Sequence, residues 1–152
     1  YLWKEAAGTA VDTIVQLTFL NHQTYYTISS LVQDTAQIFY TRTGANDPNF
    51  NLRHEPAFII RKNGNNQSFV SVIEIHGKFD PVYEFSSNAY PSVKQIKLLQ
   101  NDKDYTIAEI LVGEKKLILA QCNNNTDEKK QHTAAGISWT GPFTVLLNGQ
   151  KF

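Results

Sequence analysis

The chain has 152 residues, 41% hydrophobic and 12% aromatic, with 14 Lys and Arg balanced by 14 Asp and Glu, one Cys and no Met. A length of this order suits one domain that buries about two-thirds of its unfolded surface without a metal or disulfide staple. The zero formal charge argues against a nucleic-acid partner, whose phosphates demand a Lys and Arg surplus, and apolar runs such as 57–60 and 117–120 fall far short of the ~20 residues of a membrane helix.

The alternation of apolar and polar residues at period two recurs along the chain, and no stretch of ten residues keeps the i, i+3, i+4 spacing of an amphipathic helix, which predicts an all-β fold. Residues 13–19 place Val15, Leu17 and Phe19 on one face, with Asp12 and Gln16 among those opposite. Residues 24–32 follow, rich in β-branched and aromatic side chains, with Tyr25 and Tyr26 on opposite faces of the strand. The pattern continues through 35–43 and 57–62. Asn63-Gly64 then supplies a tight turn, so 58–61 and 69–75 are predicted as the two arms of a hairpin. Residues 82–86, 93–100, 106–112 and 116–121 read as an antiparallel meander, and the polar run 123–130 as a solvated loop. Strands at 137–140 and 143–147, broken by Gly141-Pro142, close the chain. About ten short strands with turn signals between them predict an antiparallel β-sandwich over 1–152. The opening Tyr1-Leu2-Trp3-Lys4-Glu5 has neither an initiator Met nor a basic stretch followed by an apolar signal region, so we expect any export signal to have been removed or to lie upstream, and the chain to be a piece of a longer polypeptide.

Candidate chemistry gathers in two places. All three arginines, Arg42, Arg53 and Arg61, fall between positions 42 and 61, whereas the lysines are scattered. A guanidinium grips a carboxylate at two points, so anion recognition belongs here. The long turn-rich connection 44–56, which includes His54, lies in the same stretch, and ordered loops of that length carry function. The structural alternative pairs Arg53 with Glu55 or Asp47 to staple the loop. In the second place, alternation along 69–77 puts Glu74 and His76 on one face, roughly 7 Å apart at Cα. A carboxylate beside an imidazole can orient it for proton transfer, and Gly77 would admit a close approach by a sugar or another chain. The alternative is a surface Glu and His at a strand end.

A metal site has little support in the pattern. His22, His54, His76 and His132 show no HxH or HExxH spacing, and one Cys builds no thiolate site, so no metal is assigned to this chain. Cys122 has no nearby His in sequence and reads as an inert thiol. Aromatics including Tyr26 can stack on sugar rings or fill a core.

The stretches Ala45-Asn46-Asp47-Pro48-Asn49-Phe50-Asn51-Leu52-Arg53-His54-Glu55-Pro56-Ala57-Phe58-Ile59-Ile60-Arg61 and Ser71-Val72-Ile73-Glu74-Ile75-His76-Gly77 resemble the distal β-sandwich of heparinase II/III-like polysaccharide lyases, closest to oligoalginate lyases. Thr24-Tyr25-Tyr26-Thr27-Ile28-Ser29-Ser30 is similar to the same sandwich. The resemblance implies a helical toroid that precedes this chain, supplies most catalytic groups and forms the cleft with the sandwich. It implies β-elimination on an acidic, uronate-containing oligosaccharide, in which a base takes the proton α to the carboxylate and the 4-O bond breaks. It implies a zinc site in the parent's sandwich, for which no full ligand set is matched here, and a periplasmic or secreted bacterial location. His76, oriented by Glu74, is then the best catalytic candidate, and Arg53, Arg61, His54 and Tyr26 are candidates for substrate contact. Lacking a toroid, the chain is expected to be inactive alone. The other readings are an independent carbohydrate-binding module and a structural interaction domain.

Overall fold

A computed structural model describes residues 2–32, 36–44, 54–65 and 67–152, and among them every regular element is a β-strand. In chain order these are β1 (Leu2–Thr9), β2 (Ile14–Asn21), β3 (Thr24–Leu31), β4 (Gln37–Thr43), β5 (Glu55–Arg61), β6 (Ser71–Asp80) and β7 (Phe85–Ser87). They continue as β8 (Val93–Asn101), β9 (Tyr105–Val112), β10 (Lys115–Cys122), β11 (Gln131–Ala134), β12 (Ile137–Thr140), β13 (Phe143–Leu147) and β14 (Gln150–Lys151). The predicted all-β, antiparallel class is what the chain adopts. Of the strands beyond those expected, β1 is eight residues long and pairs with β4, while β11 and β14 are short elements that flank tight turns. Ala135-Gly136 and Asn148-Gly149 have positive φ at both positions, the geometry whose twist matches two antiparallel arms, and they close β11–β12 and β13–β14.

The chain divides into two compact units, Tyr1–Val15 with Val32–Gln67, and Gln16–Leu31 with Ser68–Phe152. The smaller carries one antiparallel sheet in the order β1-β4-β5. Its buried residues include Val32, Ala36 and Thr41. The Val32 N–H donates to the Thr13 carbonyl and the Ala10 N–H to the Ala36 carbonyl, extending the pairing past the strand ends.

The larger unit has a sandwich-like arrangement. A five-stranded sheet, β14-β13-β10-β9-β8, lies with a four-stranded sheet, β2-β3-β6-β7, and a hairpin, β11-β12. Ile107 and Ala108 are adjacent on β9, point to opposite faces and are both fully buried, so the five-stranded sheet is covered on both sides there. One side is closed by the hairpin: Ile107 and Ala120 cluster with Ala134 and Trp139. Burying a side chain the size of Ile107 contributes about 1.5–3 kcal/mol. The four-stranded sheet is tied to β8 by polar bonds described below.

Two connections differ from the sequence expectation. Segments 58–61 and 69–75 are not hairpin arms, because β5 pairs with β4 while β6 pairs with β3 and β7. The alternation in both runs marks them as strands, but it carries no information on partners. The meander is β8-β9-β10 only. Of residues 82–86, the first three are a turn and the last two begin β7, which returns to β6.

Candidate functional site

Alternation along β6 places Val72, Glu74 and His76 on one face and Ser71, Ile73 and Ile75 on the other, as the sequence pattern predicts, and in the fold it is the first of these faces that turns inward. His76 is not at a strand end, however. The strand kinks at Gly77, where φ is +54° and the pairing with β3 shifts register, and runs on to Asp80. What approaches Gly77 is the protein's own backbone: a Cβ there would lie 2.2 Å from the Asn88 carbonyl oxygen and 2.3 Å from that of Ser87. Only glycine permits that contact.

Both ring nitrogens of His76 are engaged. Nδ1 lies 2.8 Å from the Asn88 carbonyl oxygen, which can only accept, so Nδ1 carries the proton. Nε2 lies 2.8 Å from Thr27 Oγ1, which lies 2.7 Å from Thr18 Oγ1. In the neutral ring this fixes one direction: Thr18 donates to Thr27, Thr27 to Nε2, and Nδ1–H to Asn88. The Tyr25 ring stacks on the imidazole, with centroids 6.0 Å apart at 14°. Its hydroxyl lies 2.6 Å from Ser86 Oγ, on β7. The Glu74 carboxylate turns to β8, where both oxygens accept the Ser92 N–H at 2.8 Å and Oε2 also accepts the Val93 N–H at 3.2 Å. Asn88 and Thr27, rather than Glu74, set the orientation of His76. Gln16 completes the layer, its Nε2 donating to Ser29 Oγ and to the Val93 carbonyl, both at 3.0 Å.

The sheet is consequently polar inside and apolar outside. Thr27 and Ser29 are wholly buried on the inner face, while Ile73 and Ile75 are 67% and 66% exposed on the outer. Tyr26 pairs with Ile75, and hence lies across the sheet from His76; its ring stacks on Phe19 at 5.4 Å. Buried hydroxyls cost little when each is hydrogen-bonded, as here, whereas exposed isoleucines mark a face suited to a covering partner.

The remaining sequence candidates belong to the smaller unit. Arg61, at the end of β5, holds its guanidinium 5.2 Å from the Phe39 ring centroid, a cation–π contact. His54 precedes the other end of that strand and stacks on Trp3 with centroids 4.7 Å apart. Six residues of strand separate them, about 20 Å, so one sugar ring does not touch both. Arg42 pairs with Glu5 at 3.2 Å. Arg53, its expected pairing with Asp47 or Glu55, and most of the 44–56 connection lie outside the described residues. Among the described residues no three His, Cys, Asp or Glu side chains converge to hold a metal ion. No helix among them is long and apolar enough to cross a membrane.

A groove that sequence reasoning missed lies at the far end of the five-stranded sheet. Gln121 on β10 pairs with Phe143 on β13, which puts both on the face that also carries Leu119, and the chain after β10 walls them in with Asn123, Asn124 and Asn125. The volume is about 660 Å³. The Asn run is visible in the sequence as a polar loop, but its meeting with Phe143 depends on a strand register that alternation does not encode.

These features define an antiparallel all-β unit of sandwich type whose central His, Glu and Thr side chains tie β6 to β3, to the turn after β7 and to the start of β8. No protein-family model matches the chain. Across 97% of its length the chain is 29% identical to an exo-oligoalginate lyase of Saccharophagus degradans. Across 96% it is 28% identical to an alginate lyase of Stenotrophomonas maltophilia. The chain spans about a fifth of the length of these relatives, 21% and 20%. It is thus similar to one part of polysaccharide lyases that act on alginate.

Proposed function

We propose that the chain is an accessory sandwich of an alginate-type polysaccharide lyase that cleaves uronate-containing oligosaccharide by β-elimination, forming cleft wall and support and leaving the main catalysis to the rest of a longer protein. The observation that carries this is the similarity to two alginate lyases over nearly the whole chain, which accounts for only about a fifth of each. Its finer parts, the heparinase II/III-like affiliation, the helical toroid partner and a periplasmic or secreted location, rest on the resemblance of 45–61 and 71–77. The supporting role is favoured by the engagement of both His76 nitrogens and both Glu74 oxygens inside the fold, because a general base needs a free lone pair facing substrate. On this reading His76 is a positioning residue that fastens β6 to the turn after β7. The apolar outer face of β3 and β6 is where the remaining part of the lyase rests, since an exposed isoleucine pair has no use in an isolated sheet. Arg61, exposed beside Phe39, remains the candidate contact for a uronate carboxylate.

The test is the ultraviolet absorbance of the conjugated elimination product, followed with oligoalginate on the 152-residue chain and on a polypeptide extended to the relatives' length. The proposal expects product from the longer polypeptide alone. Product from neither removes the lyase assignment, and product from the short chain removes the accessory role.

A further inference from the structure

The groove between β10 and β13 has a composition that neither the proposed cleavage reaction nor the arginine cluster explains. Its floor is apolar: Phe143 is 61% exposed, and Leu119, diagonal to it across the β10–β13 pair, is 37% exposed. Its wall is amide. The Gln121 side-chain amide makes no hydrogen bond among the described residues, and the Asn125 side chain commits only Oδ1, to the Asp127 N–H at 2.7 Å. No charged side chain lines it.

The wall is held in place before any ligand arrives. Asn123 Nδ2 donates to the Asp102 carbonyl at 2.9 Å, and its Oδ1 accepts from the Thr106 hydroxyl at 3.2 Å. Asn124 Nδ2 donates to the Lys103 carbonyl and, at 3.1 Å, to Asp104 Oδ1. The Cys122 N–H reaches the Pro142 carbonyl at 2.8 Å, clamping the loop to the start of β13. Asp102 is itself fixed, with its carboxyl held below the usual carboxylate range by the Gln100 side-chain amide and by the Tyr105 and Asp104 N–H groups. A wall bonded in this way loses little conformational freedom on binding.

An exposed aromatic ring beside free amides, without charge, matches a pyranose: its C–H face lies on the ring and its hydroxyls exchange hydrogen bonds with amides, which both donate and accept. No guanidinium or ammonium lines the groove, so a uronate carboxylate would gain no ion pair there over a neutral sugar. We propose that this groove binds one pyranose unit of a glycan through its C–H face and hydroxyls, independently of charge. The inference deepens the glycan-directed reading above by adding a holding subsite in the larger unit, apart from any cleavage site.

The experiment titrates the 152-residue chain with two probes, a neutral β-linked glucose tetrasaccharide and a mannuronate tetrasaccharide, and follows the side-chain amide signals of Gln121, Asn124 and Asn125 by NMR. Both probes are expected to shift these signals, with affinities within about threefold of each other near 1 mM. Phe143→Ala should weaken both at least about tenfold, and Phe143→Trp should restore them. Phe143 is exposed, so the fold survives either change. No shift at about 10 mM of either sugar overturns the proposal. So does binding of the uronate alone, which would make the carboxylate the group recognised. The elimination assay is independent of this titration, so failure of the groove leaves the lyase reading standing, and failure of the lyase reading leaves the groove.

Discussion

Replacing Gly77 with alanine tests the physical core of the account, the seam between β6 and the turn after β7. Three costs combine. Holding φ at +54° costs an L-residue about 1–2 kcal/mol. The new Cβ would stand 2.2 Å and 2.3 Å from two backbone carbonyl oxygens, which cannot swing away as a side chain would. Relieving such overpacking costs about 1–3 kcal/mol. Moving Asn88 also breaks the 2.8 Å bond from His76 Nδ1, worth about 1 kcal/mol. The sum is at least about 3 kcal/mol, a large share of the 5–15 kcal/mol typical of a folded domain. Gly113→Ala is the control, because Gly113 has φ of +59° but nothing within 4 Å of a Cβ, so it bears the dihedral cost alone. The chain's two tryptophans fall one in each unit, Trp3 in the smaller and Trp139 in the larger. Urea unfolding followed by Trp139 fluorescence in a Trp3→Phe background therefore reports the larger unit. Gly77→Ala should cost about 2 kcal/mol more than Gly113→Ala. Equal losses would refute the close-approach argument.

Two further substitutions probe polar groups in the larger unit. His132, stacked on Trp139 at 5.3 Å, buries Nε2 without a partner among the described residues. Because Nδ1 lies 3.3 Å from the Tyr105 hydroxyl, His132→Phe is combined with Tyr105→Phe, which keeps the stack and removes that pair together with the unsatisfied Nε2; urea unfolding should show a gain of about 1 kcal/mol, and a loss of that size would mean that Nε2 is bonded in solution. Asp102 has a folded-state pKa below its ordinary 3.8, chiefly through the Gln100 amide. Its contribution is therefore present above the unfolded-state value and lost as pH falls through the folded one. Asp102→Asn should flatten the loss of stability seen below about pH 4, read from thermal melts across that range, and unchanged slopes would exclude the assignment.

Much of the fold was legible because β-strands announce themselves locally. The grouping of β6 into faces follows from alternation alone: Val72, Glu74 and His76 on one, Ile73 and Ile75 on the other. Partners did not follow, since pairing is a long-range choice. Residues 58–61 and 69–75 look like hairpin arms around Asn63-Gly64, yet each finds a better-placed strand elsewhere. Nor did the direction of the core. The usual expectation buries isoleucine and exposes threonine, whereas here Thr27 bonds to Thr18 and His76, Gln16 bonds to Ser29 and to β8, and the isoleucines face out. The same blindness hid the groove, because Gln121 and Phe143 are brought together by register across 22 positions of sequence. Glu74 and His76 were singled out correctly as neighbours on one face, but what each one bonds depends on Ser92 and Asn88, which carry no motif.

The most direct test of the accessory role is turnover of oligoalginate by the relative-length polypeptide carrying His76→Gln, measured together with its melting temperature. The account predicts turnover within about twofold of the parent and a lowered melting temperature, because His76 holds β6 to the Asn88 turn and does not move the substrate proton. A fall in turnover of about a hundredfold or more at an unchanged melting temperature would contradict it and make His76 a catalytic residue.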